Sequence, residues 1–219
     1  MTRIAIVGGH GKIARLLIPL LVDAGHQPVA LVRNPDYSAE LEALGAEVGI
    51  LDIEQDGADA FAKAFSGADA VVFAAGGGPD GNIERKRTVD LEGSLKSIDG
   101  AQTAGITRFV QISAIAVDQP ISADAGEVWK AYVEAKRDAD IALRASDLDW
   151  TIIRPGGLTD EAPTGLVELA ETVERAQIPR ADVAAVIAAA VDEPATINRQ
   201  WELISGETPI DDAIAGAVA

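Results

Sequence analysis

A tyrosine and a lysine at helical spacing are the side chains of this sequence best suited to acid–base chemistry. Tyr132 and Lys136 are four residues apart, so a helix through them places the phenol and the ammonium on one face. A neighbouring cation favours the phenolate and lowers a pKa of about 10, which makes the tyrosine a usable acid or base near neutrality. Ser113, at the end of an apolar run upstream, can donate a hydrogen bond to a substrate carbonyl or alkoxide. The alternative is a partly exposed helix surface, because this spacing also occurs by chance.

A glycine-rich turn near the start of the chain has the features of an anion-binding site. The β-branched run Ile4–Val7 ends in Gly8-Gly9, and an amphipathic pattern begins at Gly11. This order predicts a strand, a tight turn with positive φ at Gly8, and a helix whose first N–H groups and dipole favour an anion. Gly11, without a Cβ, lets a diphosphate approach the backbone, and Ala14 occupies the position where a third glycine is frequent. Glycine pairs also end strands for structural reasons alone.

Arg33 indicates which dinucleotide such a site would bind. It follows the second predicted strand, where an acidic residue would bind the ribose 2′-hydroxyl of NAD and an arginine accommodates the 2′-phosphate of NADP. No acidic residue follows until Asp36. The sequence therefore favours NADP. The alternative is an ordinary surface arginine paired with one of many carboxylates.

The elements that must position these residues alternate between strands and helices along nearly the whole chain. Nearly uniform apolar strands separated by single helices predict a parallel sheet covered on both faces. The predicted strands lie near 4–7, 29–32, 47–51, 70–75, 108–113, 150–154 and 200–204; the predicted helices lie near 11–24 (with a kink at Pro19), 38–44, 61–65, 84–104, 129–145, 181–191 and from 209. Residues 76–82 predict a flexible loop, and 158–179 predict a small cap with an extended piece at 167–173. The fold class is α/β, a single Rossmann-type domain over 1–219.

Ligands of such a sheet bind beyond the carboxyl ends of its strands, beside the first strand. A series of small or polar residues lies at these predicted ends: Gly8, Gly9, His10, Gly11, Lys12, Arg33, Asp52, Ala74, Ala75, Gly76, Ser113, Pro155, Gly156 and Gly157. Together with Ile13, which completes the glycine turn, they form the candidate cofactor site. Six strand ends in series exceed what chance supplies.

Composition excludes several classes of function. The net charge of −17 repels nucleic acid and anionic membranes, and no apolar run reaches membrane-spanning length. With no Cys and only two His, no thiolate catalysis or metal site is expected. Met1-Thr2-Arg3 leads directly into a strand, so no signal peptide is expected, and the cytoplasm is the simplest compartment.

Taken together, these motifs resemble the atypical short-chain dehydrogenase/reductases, and more narrowly the small bacterial NAD(P)H-binding proteins called epimerase/dehydratase-like or NmrA-like. The resemblance runs from residue 2 to about 215. It implies that Tyr132 donates a proton, Lys136 binds ribose and tunes the phenol, and Ser113 orients substrate. It also implies that Asp52 and Ile53 flank adenine and that the Pro155–Leu158 backbone meets the nicotinamide. Asp90 is a departure, because the wider superfamily often has Asn there.

These observations predict an NADP(H)-dependent oxidoreductase acting on a small carbonyl-type molecule. A non-catalytic NADP(H) sensor of the NmrA-like kind is the first alternative. A sugar-nucleotide epimerase or dehydratase is the second, less favoured because the chain has no room for a large substrate domain. Whether the protein forms a homodimer stays open. The run Glu84–Arg87 could guide an anionic substrate, but a solvated helix face is the favoured interpretation. Trp129 is either a core residue or a stacking platform for a substrate ring.

Overall fold

A mostly parallel sheet organises the part of the chain, residues 1–78 and 81–219, that the computed structural model describes. Seven parallel strands follow the order β3-β2-β1-β4-β5-β6-β10, and the antiparallel strands β8 and β11 extend the β10 edge. The strands of this sheet are β1 (Arg3–Val7), β2 (Gln27–Val32), β3 (Glu47–Ile50), β4 (Ala70–Phe73), β5 (Arg108–Ile112), β6 (Asp149–Pro155), β8 (Leu166–Ala170), β10 (Arg199–Ser205) and β11 (Thr208–Pro209). The strand order reverses beside β1, with β2 and β3 on one side and β4 on the other. This reversal creates the crevice where Rossmann folds bind ligands.

Helices cover both faces of the sheet, as the uniform apolar strands predict. They are α1 (Lys12–Asp23), α2 (Ser38–Ala43), α3 (Ala58–Ala64), α4 (Ile83–Arg85), α5 (Glu92–Ala104), α6 (Glu127–Arg144), α7 (Arg180–Asp192) and α8 (Ile210–Val218), with short 3₁₀ turns at Pro35–Tyr37 and Pro194–Thr196. In β1, Ile4 and Ile6 pack with α1 and α7, while Ala5 and Val7 pack with Phe61 and the opposite layer. The fold class is therefore confirmed: an α/β sheet of Rossmann type between two helical layers.

Two predicted helices differ in detail from the structure. Helix α1 continues through Pro19 without a break, so the predicted kink stays a prediction. The predicted helix at 84–104 is composed of α4, a π-helical segment (Lys86–Leu91) and α5. A π-helical turn is rare and recurs at functional sites because it changes which side chains share a face. Within the predicted loop 76–82, Pro79 and Asp80 lie outside the described residues.

The predicted cap at 158–179 is only partly correct. Its extended piece exists as β8, but β8 joins the main sheet as an antiparallel neighbour of β10. The remaining small sheet consists of two parallel strands, β7 (Gly157–Thr159) and β9 (Gln177–Pro179). Of the helices in the described ranges, none is both long and apolar enough to cross a membrane.

Candidate functional site

The turn after β1 adopts the geometry that its glycines predict. Gly8 has φ of +82°, and a Cβ there would lie 2.8 Å from the Ala75 backbone. A Cβ on Gly9 would lie 2.7–2.9 Å from Ala30 atoms, so Gly9 is required for packing against β2. Gly11 differs, because the nearest atoms to its Cβ position are carbonyl oxygens at 3.1 Å and 3.7 Å. Its open side faces the first turn of α1, whose N–H groups have no intrahelical acceptor and can bind an anion.

A cavity of about 270 Å³ opens beside this turn. Nine of the predicted cofactor-site residues line it: Gly8, His10, Gly11, Arg33, Asp52, Ile53, Ala74, Ala75 and Gly76. The remaining walls are Leu31, Val32, Tyr37, Leu51, Glu54, Arg85 and Val89. Apolar walls with a few convergent polar groups are typical of a cofactor site. The residues present therefore fit the adenosine half of a dinucleotide, with its diphosphate at the glycine turn.

Arg33 lies in the cavity wall, but it has an acidic partner. Its Nη1 is 3.3 Å from Oε2 of Glu54, and Nε of Arg85 is 3.7 Å from the same oxygen. Glu54 also accepts a hydrogen bond from the Thr88 hydroxyl at 2.9 Å. The arginine at the end of β2 is present as predicted, and Glu54 offers it the surface ion pair that the alternative interpretation proposed. A 2′-phosphate would have to compete with Glu54 for this guanidinium.

Two other residues of the turn direct their side chains away from this cavity. Lys12 forms an ion pair with Asp160 at 2.5 Å, and Ile13 packs into the core beneath α1. His10 lines the cavity, where its ring stacks on Tyr37 with centroids 3.6 Å apart. Lys12 and Ile13 can therefore contribute their backbone N–H groups to an anion, while their side chains serve the fold.

The π-helical segment and α6 face each other through two pairs of residues. Lys136 Nζ lies 3.1 Å from Asp90 Oδ1 and donates to the Ile112 carbonyl at 3.2 Å. One helical turn earlier on both elements, Lys86 Nζ lies 5.7 Å from the centre of the Tyr132 ring. Asp90 also accepts a hydrogen bond from the Gly77 N–H at 2.9 Å, which joins this cluster to the end of β4. Tyr132 and Lys136 therefore share a face, as the sequence predicts, next to the ends of β4 and β5.

The lowering of the Tyr132 pKa that Lys136 was predicted to cause is outweighed by burial of the phenol. Burial raises the pKa of the Tyr132 phenol above its ordinary value, and the nearby Lys136 ammonium opposes this only in part. Asp90 and Asp140 raise the pKa further, because negative charge disfavours the phenolate. The expectation of a lowered pKa is therefore wrong, and the cause is the burial of the ring together with two carboxylates. Tyr132 holds its proton at neutral pH.

Ser113 lies above a buried carboxylate that the sequence analysis did not include. Its hydroxyl donates to Oδ2 of Asp140 at 2.7 Å, and Gln111 Nε2 donates to Oδ1 of Asp140 at 2.7 Å. Arg154 donates through Nε to the same Asp140 Oδ2 at 2.9 Å and through Nη1 to Asp118 at 2.6 Å. Within residues 1–78 and 81–219, each side chain that forms a hydrogen bond with Asp140 is a donor. The Ser113 hydrogen therefore points into the protein, and the free lone pairs of its oxygen remain to accept a hydrogen bond.

Charges in this network are strongly coupled. Burial raises the pKa of the Asp140 carboxyl, against the effects of Arg154 and of the hydrogen bonds from Ser113 and Gln111. The Arg154 guanidinium holds the pKa of Asp118 below its usual range. Burial also opposes the charge of Lys136, but the Asp90 carboxylate and the Tyr132 phenol raise its pKa overall. The site therefore combines a protonated phenol with a charged lysine.

The segment after β6 lies beside Ser113 and outside the adenosine-side cavity. Pro155 O accepts from the Ile115 N–H at 3.0 Å, and a Cβ on Gly156 would lie 2.2 Å from the Ala176 carbonyl oxygen. Gly157 begins β7, and Leu158 is exposed. Gly156 therefore has a packing requirement of its own, while the segment borders the Ser113 end of the crevice.

Several residues of the site had recognisable signals in the sequence. Asp140 is four residues beyond Lys136, so one helical stripe carries the tyrosine, the lysine and this carboxylate. Lys86 and Arg85 belong to the run interpreted as a solvated helix face, which is wrong for both, because Lys86 is buried and Arg85 lines the cavity. Trp129 is 43% exposed, which removes the interpretation of a core residue. Nothing in the local sequence around Glu54 indicated that it would face Arg33.

Comparison with known proteins agrees with this geometry. The sequence model of the NAD(P)H-binding family matches residues 8–194. A Bacillus subtilis protein described as an uncharacterized sugar epimerase is 39% identical over 97% of this chain and 98% of its own length. A solved structure from Bacillus halodurans, named as an NAD-dependent epimerase/dehydratase, has a TM-score of 0.92 at 39% identity and covers 99% of this chain and 100% of its own. The solved structure of a Lactococcus lactis oxidoreductase has a TM-score of 0.86 at 28% identity, and the match covers 98% of this chain and 95% of that one.

Proposed function

Because the chain belongs to the NAD(P)H-binding family, we propose that it is an NADP(H)-dependent oxidoreductase that reduces a small carbonyl-type substrate. The observation that carries the proposal is the convergence of Tyr132, Lys136 and Ser113 at the ends of β4 and β5. They are linked to the cavity around Arg33 through Asp90, which pairs with Lys136 and accepts the N–H of Gly77, the neighbour of the cavity residue Gly76. A cofactor bound along the crevice beside β1 would extend from the adenosine side to the tyrosine.

The chain's own residues can supply the proton and hold the charge. When bound, the nicotinamide group supplies a hydride. Tyr132 would give its hydroxyl proton to the carbonyl oxygen of the substrate, so that the product of the reduction is an alcohol. Lys136 stabilises the phenolate that is left, and solvent returns the proton. Asp90 holds Lys136 in place at 3.1 Å, and Ile112 O fixes a second direction of the ammonium.

The raised pKa of Tyr132 keeps the phenol in the form that a general acid needs. Burial and the two nearby carboxylates keep the phenol protonated at neutral pH. A protonated phenol is ready to donate to a carbonyl oxygen, whereas oxidation of an alcohol would need it to begin as phenolate. The protonated phenol therefore suits the step in which a carbonyl oxygen gains a proton.

A cofactor-sensing role is the second candidate, and the orientation of Ser113 favours it. In the family that the chain resembles, this serine orients substrate by donating a hydrogen bond, but here the hydrogen is directed to Asp140. An epimerase role rests on the names given to relatives. An epimerase would oxidise and re-reduce the same molecule, so it would show no net consumption of NADPH.

A substrate panel with the variant Tyr132→Phe tests the proposal. Aldehydes, ketones and quinones are mixed with NADPH and followed by nicotinamide absorbance. With a substrate found, Tyr132→Phe should lower kcat by about 10²–10⁴-fold, the usual contribution of a general acid, while NADPH affinity changes little. A variant that turns over at the wild-type rate would show that Tyr132 is not the acid. Absence of turnover across the panel, with NADPH altering affinity for a protein partner, would favour the sensor.

A further inference from the structure

Two cations flank an aromatic pair at the tyrosine end of the crevice. The rings of Trp129 and Tyr132 lie 5.5 Å apart on α6. Lys86 Nζ is 5.7 Å from the centre of the Tyr132 ring, and the Arg175 guanidinium carbon is 5.5 Å from the centre of the Trp129 ring. The order Lys86, Tyr132, Trp129, Arg175 therefore forms one continuous row, which we name the cation–aromatic row.

Neither cation of this row has a carboxylate partner among residues 1–78 and 81–219. Lys86 is 5% exposed, and its Nζ donates to the backbone carbonyl of Gly78, which leaves further N–H donors of the ammonium. The exposed Arg175 contacts the Trp129 ring, and its planar guanidinium keeps an edge of N–H groups for a second ligand. By contrast, Lys136 is held by Asp90, and Arg154 by Asp118 and Asp140.

Other cations of the described residues, such as Lys96 and Lys130, also bond to backbone carbonyls and lack a carboxylate partner. Lys86 and Arg175 differ from them because they lie against the aromatic pair. A chain with 35 acidic and 18 basic residues has carboxylates available for its cations, and its overall field repels anions. Cations left without a carboxylate beside the candidate acid Tyr132 offer a local site for negative charge. Trp129, 43% exposed beside them, offers an apolar face suited to a flat ring or conjugated system.

We propose that the substrate is a flat, unsaturated carboxylate whose ring or conjugated system lies against Trp129 and whose negative charge is attracted by Lys86 at one end of the row and Arg175 at the other. This inference rests on the proposed reductase function and deepens it. The two groups of residues would have different roles. Tyr132 and Lys136 would act on the reacting oxygen, while Lys86 and Arg175 would favour a negatively charged substrate. In this arrangement the π-helical turn matters, because it carries both Lys86 toward Tyr132 and Asp90 toward Lys136.

A matched pair of probes tests the proposal by binding. Calorimetric titration of 2-naphthoate and of 2-naphthylmethanol is made into the protein, free and in the presence of excess NADP⁺. The carboxylate should bind wild type at least about tenfold more tightly than the neutral alcohol, the effect of one hydrogen bond to a charged group. Lys86→Met and Arg175→Met should each remove about tenfold of the carboxylate affinity and leave that of the alcohol unchanged.

Control variants keep the test specific. Lys130→Met removes an exposed charge from the same helix, where Lys130 donates to the Ala123 carbonyl, and it should leave both affinities unchanged. Lys86→Arg retains the charge and should retain the preference, which guards against a Lys86→Met protein that fails to fold. Equal affinity of wild type for the two probes, or an equal loss in Lys130→Met, would overturn the inference. A separate NADPH titration tests the proposed function, because a protein that does not bind NADPH cannot be the proposed reductase. Loss of the preference for the carboxylate with NADPH binding intact would contradict the inference alone.

Discussion

Replacing Asp90 by Asn removes one charge from an ion pair that the fold has taken out of water. The side chain of Asp90 is fully buried, that of Lys136 is 6% exposed, and the charged atoms are 3.1 Å apart. Asn has nearly the same shape, and its amide oxygen can still accept the Gly77 N–H that Asp90 accepts at 2.9 Å. The substitution therefore isolates the effect of the charge.

The expected loss of stability is large. Removing one partner of a buried pair costs about 3–5 kcal/mol, because the other charge stays buried and uncompensated. The retained Gly77 hydrogen bond places Asp90→Asn at the lower end, about 3 kcal/mol. For a chain of this size that corresponds to a melting temperature about 6–12 °C lower. The matched control is Asp138→Asn, because Asp138 pairs with Arg137 at 3.7 Å on the surface, where a pair contributes about 1 kcal/mol or less.

Urea unfolding followed by far-ultraviolet circular dichroism at pH 7 measures both variants. The pH dependence gives a second signature. Asp90 and Tyr132 raise the pKa of Lys136 above its usual value despite burial, so the stability that this shift contributes is complete below the unfolded pKa of about 10.5. It is lost as pH rises through the folded pKa, and the difference between wild type and Asp90→Asn should shrink in strongly alkaline solution. A loss in Asp90→Asn no larger than in Asp138→Asn would refute the argument from burial.

Three further outcomes follow from the cavity and the tyrosine. Arg33→Ser should weaken NADP⁺ binding by about 10–100-fold relative to NAD⁺. Glu54→Gln should strengthen NADP⁺ binding by about fivefold, because the carboxylate no longer competes for the Arg33 guanidinium. Calorimetric titration checks both variants. Gly11→Val should abolish cofactor binding with the melting temperature nearly retained, whereas Gly9→Val should lower that temperature, since its Cβ would meet Ala30 within 2.9 Å. The rate of reduction should show no loss from titration of Tyr132 between pH 7 and about pH 10, because its pKa is raised; a fall centred near pH 8 would contradict that assignment.

Most of the fold was predictable because its signals are local. The apolar run Ile4–Val7, the glycines after it and the alternation of strands with helices determine which segments form the sheet. The edge strand β8 was harder to place, because residues 166–170 alternate exposed and buried side chains and their partner is determined by register with β10. A short extended segment does not specify whether it pairs with a cap or with the main sheet.

The candidate site was predictable where function depends on residue type at a strand end or along one helix stripe. Arg33, Ser113 and the stripe through Tyr132 and Lys136 all meet that condition. The position of Lys86 was not predictable in the same way, because the charged run 84–87 has helical spacing on a solvated face. Only the π-helical turn rotates Lys86 inward toward the aromatic ring. An irregularity of one residue per turn has no reliable signal in a single sequence.

The direction of the Ser113 hydrogen bond has the greatest consequence for the chemistry. A serine can donate or accept, and the residue type alone does not decide between them. Here Asp140 receives donors from Ser113, Gln111 and Arg154, so its charge draws the serine hydrogen inward. In the proposed reductase, a substrate oxygen would therefore meet one donor, the Tyr132 phenol, and one acceptor, the Ser113 oxygen. A carbonyl needs a donor, whereas the hydroxyl that it becomes can also donate to Ser113. In the proposed reductase, the Ser113 oxygen would therefore suit the hydroxyl of the alcohol product better than the carbonyl oxygen of the substrate.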